Sequence, residues 1–77
     1  MRNKERIKLE KERKEDMVKA IMSYFKEERG EEIGHLAAGM ILDFIVEELA
    51  PEFYNQGVQD SCAYMSERVE DMQSLLL

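Results

Sequence analysis

Glu32 and His35 stand three residues apart, in the pattern Glu-x-x-His. On a helix that spacing puts a carboxylate and an imidazole on one side, as in the di-iron sites of helical bundles. Such a centre needs facing carboxylates and a second copy of the motif, and the chain carries one copy. His35 with Cys62 or Asp43 would be the other grouping with chemistry in it, a nucleophile set. No residues around Cys62 resemble a nucleophile loop, and no base, nucleophile and orienting group fall together. Cys62 is the only cysteine, so it forms no internal disulfide and no CxxC or Cys/His metal spacing. These patterns assign no catalytic residue, no metal ligand and no cofactor, and the expectation is a protein that is not an enzyme.

Asp43 interrupts the apolar run MILDFIV. A buried carboxylate there would be a site with a tuned pKa. The plainer readings put it on a polar stripe with Glu47, or beside a Tyr or Asn at a corner between helices, because a buried charge must be paired. Tyr24, Phe25, Phe44, Phe53 and Tyr54 fall at core spacing without interleaved basic residues, unlike a base-stacking platform. Met17, Met22, Met40, Met65 and Met72 read as adaptable packing residues.

The elements that would hold these residues are bounded by composition. A chain of 77 residues is one domain and buries a small core. Residues 1–10 read as a charged arm. Net charge is −6, unevenly spread: residues 1–30 carry +3 and residues 31–77 carry −9. The acidic part repels nucleic acid, while the basic arm could touch phosphate. No apolar segment follows the N-terminal charges, and the longest apolar stretch is shorter than the about 20 residues of a membrane span. The expectation is a soluble cytoplasmic protein.

Hydrophobic periodicity places three helices, so the fold class is all-α: a small three-helix domain assembling as an oligomeric helical bundle. The first covers residues 11–29, with Met17, Val18, Ile21, Met22, Tyr24 and Phe25 at helical spacing and Arg29-Gly30 as its stop. The second covers residues 32–49, with Glu31 and Glu32 at its positive end. Ile33, Ala37, Met40, Ile41 and Phe44 share one face, and Ala38, Leu42, Val46 and Leu49 nearly the opposite one, with His35 beside Leu42. Leu36 falls on the polar stripe with Gly39, Asp43 and Glu47. A helix apolar nearly all round must be covered nearly all round. That predicts an interface between copies of the chain at His35, Ala38, Leu42, Val46 and Leu49.

The third covers residues 51–75, where Val58, Cys62, Met65, Val69, Met72 and Leu76 follow a 4-3-4-3-4 spacing, the seam of a helix that packs on another. Between the second and third lies APEFYNQGVQD. Pro51 biases Ala50 away from helical angles and fits the first turn of a new helix. Asp43, Pro51, Phe53, Tyr54, Asn55 and Gly57 then form a structural corner. Tyr54 and Asn55 are expected to be buried and hydrogen-bonded there.

Tyr24-Phe25, Glu28, Ile33-Gly34, Leu42-Asp43-Phe44 and Phe53-Tyr54-Asn55-Gln56-Gly57 together resemble a small bacterial family known only as a domain of unknown function, number twenty-one sixty-four. The likeness runs over about residues 7–75. Asp60-Ser61 stands where such relatives carry Asp-Ala, and Glu10 where a Ser or Thr cap is common. The resemblance implies helices and a cytoplasmic location, and no chemistry.

Two functions of different class follow. The first is a homo-oligomeric interaction or structural module, a dimer or higher, with an unknown protein partner. The second is a DNA-binding regulator. The stretch RIKLE alternates and is followed by helices, as in ribbon-helix-helix repressors, so residues 5–10 would form a short strand and Arg6 and Lys8 would contact nucleic acid. The acidic body, the long first helix and the third helix stand against it.

Overall fold

The computed structural model describes residues 7–77, and every regular element among them is helical. Helix α1 spans Lys11–Arg29 and α2 spans His35–Phe44; a π-helical turn over Ile45–Leu49 leads without interruption into α3, Ala50–Gln73. The expected three helices are therefore two: α1, and one continuous rod from His35 to Gln73. Residues 7–10 are outside any strand, and Glu5 and Arg6 lie outside the described residues.

Helix α1 ends as its sequence dictates. Gly30 takes the left-handed conformation (φ 66°), its N–H donates to the Lys26 carbonyl at 3.2 Å, and the N–H of Glu31 donates to the Phe25 carbonyl at 3.1 Å. A side chain at Gly30 would be strained at that φ, so glycine closes the helix at least cost. Residues 30–34 are not helical, and the second helix starts at His35, later than residue 32. Glu31 and Glu32 pair instead with cations of α1, Arg29 Nε at 3.4 Å and Lys26 Nζ at 3.9 Å. Both pairs are exposed and add little stability.

Proline explains the continuous rod as well as the false break. Pro51 has no N–H, and its ring presses on the carbonyl one turn earlier, which ordinarily kinks or ends a helix. Here the preceding turn is widened: Ala50 N–H donates to the Ile45 carbonyl, five residues back, and Ala50 keeps helical angles (φ −60°, ψ −35°). The π turn takes up the clash and lets the backbone run on. No corner forms, and Asp43, Phe53, Tyr54 and Asn55 are all exposed.

The core lies where α1 packs on α2. Val18, Ala38 and Leu42 are buried, with Ile21, Met22, Ile33 and Val46 packed around them. Among the described residues α3 touches only the π turn from which it grows. The radius of gyration is 18.9 Å, against about 11 Å for a compact chain of this length. Among the described residues the core holds three buried side chains, which is small, and the rod extends well beyond it.

Candidate functional site

The surface with most to explain is α3. Not one of its residues is buried. Advancing about 100° per residue puts Tyr54, Val58, Cys62, Met65, Val69 and Met72 within roughly 80° of one another, a single stripe along the helix, with Leu76 just past its end. All are exposed; Met65 is 59% and Met72 68% accessible. Asn55, Gln59, Ser66 and Gln73 flank the stripe on one side and Gly57, Ser61 and Arg68 on the other, while Glu52, Asp60, Glu67, Glu70 and Asp71 lie behind it. Several polar side chains are occupied within the helix. Gln56 donates to Asp60 at 2.9 Å, the Ser61 hydroxyl donates to the Gly57 carbonyl at 2.9 Å, and Arg68 pairs with Asp71 at 2.9 Å while lying 4.9 Å from the Tyr64 ring centroid. What α3 leaves unmatched is apolar area, edged by neutral side chains and by Arg68, which is paired with Asp71. Monomeric proteins rarely expose a contiguous stripe of this kind.

A second apolar line lies on α2. Leu36, Met40 and Phe44, at i, i+4 and i+8, are exposed, Leu36 to 79%. The helical wheel sets them within about 80° of one another, with Leu36 beside the polar stripe and Met40 and Phe44 on a face expected to pack. The signal that could have found the line is Leu36 itself, an apolar residue amid Gly39, Asp43 and Glu47.

The five residues expected between copies fall in different places. Ala38 and Leu42 are buried, covered by α1 of their own chain, and Val46 packs beside them. Leu49 is exposed. His35 is exposed, its Nε2 2.6 Å from Oε2 of Glu15 on α1, a contact that is a hydrogen bond with neutral imidazole and an ion pair with imidazolium. Of the expected corner residues, Pro51 is half-buried; at Gly57 an added Cβ would meet nothing within 4 Å.

The residues singled out for chemistry are dispersed. Glu32 precedes the helix and turns to Lys26, so Glu32 and His35 do not converge. His35 and Cys62 sit on one rod, about 40 Å apart at the helical rise of about 1.5 Å per residue. Among the described residues no three His, Cys, Asp or Glu side chains gather as a metal site would require. A shallow recess of about 250 Å³ lies between α1 and the connecting segment, lined by Met22, Ser23, Lys26, Glu32 and Ile33, with no activated nucleophile in it. Lys8, assigned to nucleic acid in the regulator reading, lies outside any helix or strand, and Arg6 lies outside the described residues. No described helix is long and apolar enough to cross a membrane.

Residues 7–77 match the model of a family described as an uncharacterized conserved protein, DUF2164. No curated protein and no solved structure matches the chain.

Proposed function

Because the chain belongs to the DUF2164 family, whose description assigns no activity, its own surfaces must carry the reading, and we propose a homo-oligomeric interaction or structural module that works without catalysis. The observation behind this is α3: 24 residues with none buried and an apolar stripe along its length. Most helical stability in proteins comes from packing an apolar face, and α3 buries none of its own residues. The accessible surface points the same way. The chain exposes 6863 Å², where a compact protein of its mass exposes about 4,900 Å². The surplus exceeds the roughly 800 Å² that each partner gives to a stable interface.

Sedimentation equilibrium or light scattering tests the reading. An assembly of two or more 9.1 kDa chains at micromolar concentration is the expected result. A stable, fully helical monomer at that concentration would overturn it.

A further inference from the structure

The homo-oligomer reading leaves open what covers the α3 stripe. We infer that its occupant is α3 of a second copy, the two stripes facing each other along their length; this rests on the homo-oligomer reading above.

Two observations carry the inference. The first is the repeat. Val58, Cys62, Met65, Val69 and Met72 keep a 4-3-4-3 spacing, with Leu76 at the next place. Traced back from Val58, the repeat meets Asn55 and Pro51, so the apolar seam belongs to α3 and not to the rest of the rod. A seam on a seven-residue repeat is how side chains of one helix enter the spaces of another running beside it, layer by layer. The occupant is therefore a helix that keeps the same repeat over as many layers. Within the chain α3 alone meets that demand. On α1 the spacing runs through Met17, Ile21 and Tyr24 and stops at Glu28, or through Val18, Met22 and Phe25 and stops at Arg29. Helix α2 has ten residues, and its Ala38 and Leu42 are already covered by α1. A second α3 offers the same layers in the same number.

The second is where the charge is kept. Residues 31–77 carry ten acidic residues and one cation, Arg68. Two copies of so acidic a surface repel unless acids stay out of the contact, because like charges facing across an interface oppose association. On α3 every acid lies behind the stripe. The edge positions Asn55, Gln59, Ser61 and Ser66 are neutral, and Arg68 is occupied by Asp71 of its own helix at 2.9 Å. A basic partner would be met by acids along those edges. An identical acidic partner requires edges without them, and that is the arrangement present.

Cross-linking at the one native thiol tests the occupant. The stripe runs from Tyr54 to Met72, so Cys62 stands one residue from its midpoint. Stripes facing along their length set centre against centre, whether the helices run parallel or antiparallel. Cys62 of one copy then lies within about one turn of Cys62 of the other. Were the stripe covered by α2 of a second copy, the two thiols would be far apart, since Cys62 is about 27 Å along the rod from Phe44. A short bis-maleimide is added to the protein at micromolar concentration. The expected result is a covalent dimer from the native chain and none from Asp60→Cys in a Cys62→Ser background, because residue 60 lies behind the stripe. If the reagent does not reach Cys62 inside the seam, Ser66→Cys in the same background, at the stripe's edge, gives the link. An assembled protein that links at neither position 62 nor position 66, or that links equally through position 60, overturns the inference and leaves the homo-oligomer reading standing. A chain that is monomeric by light scattering removes both.

Discussion

His35 Nε2 and Glu15 Oε2 lie 2.6 Å apart, joining the first residue of α2 to the second turn of α1. The start of α2 is therefore within side-chain reach of the early part of α1, and residues 30–34 double back along α1 to bring it there. Both side chains are about half exposed or more, and exposed pairs couple by about 0.2–1 kcal/mol. His35→Ala, Glu15→Ala and the double variant, compared in urea melts, should show a coupling in that range. A coupling near zero would mean that the contact positions nothing.

Leu42 and Val69 are both aliphatic, yet substitution should act differently at the two sites. Leu42 is 3% accessible and belongs to one buried cluster with Val18. Leu42→Asp strands a charge in that core and should cost about 3 kcal/mol or more, with loss of helical circular dichroism. Val69 stands on the open stripe, so Val69→Asp should reduce the solution mass toward 9.1 kDa while the α1–α2 packing survives. Equal loss of core structure in both would refute the separation of the two surfaces.

Pro51→Ala restores a backbone donor and removes the ring that widens the preceding turn. Proline inside a helix costs about 3 kcal/mol relative to alanine, part of which the π turn recovers. The variant should be at least as helical as the parent. It should also associate with a different strength, because a turn relaxed to α geometry rotates the α3 stripe by about 100° relative to α2. Concentration-dependent light scattering of the variant and parent checks this.

Gly57 lies in the exposed interior of α3, off the stripe, with nothing within 4 Å of the place a methyl group would occupy. Gly57→Ala should stabilise the protein by roughly 0.5–1 kcal/mol through helix propensity. A fall in the melting temperature would reveal a backbone approach from a second chain at this point.

Some of this is legible in the sequence for plain physical reasons. The bounds of α1 follow from the apolar spacing of Val18, Ile21 and Met22 and from Arg29-Gly30, where the stop signal is local. The break expected at Pro51 does not occur, because proline's clash need not be settled where proline stands. The backbone answers it one turn earlier with Ile45–Leu49, five residues that bear no separate signature. Periodicity likewise marks Ala38 and Leu42 as covered but is silent on the covering chain; α1 of the same chain does it. The 4-3-4-3-4 seam of α3 is plain, since it needs only the repeat distance. The exposed line on α2 is hidden, because a helix apolar on several faces gives no ranking among them.

The rod is also a lever. Among the described residues its tertiary anchor is at the α2 end, and α3 extends about 36 Å beyond the π turn. A change of direction of about 10° at that turn sweeps Gln73 through roughly 6 Å, more than the rise of one helical turn. The position of every side chain on the far stripe is thus governed from Ile45–Leu49. A small adjustment there, forced or relieved by Pro51, selects which layer of a facing helix Val69 and Met72 meet. The five residues act as the fulcrum of the molecule, and change at them travels to the tip without a single contact being altered on the way.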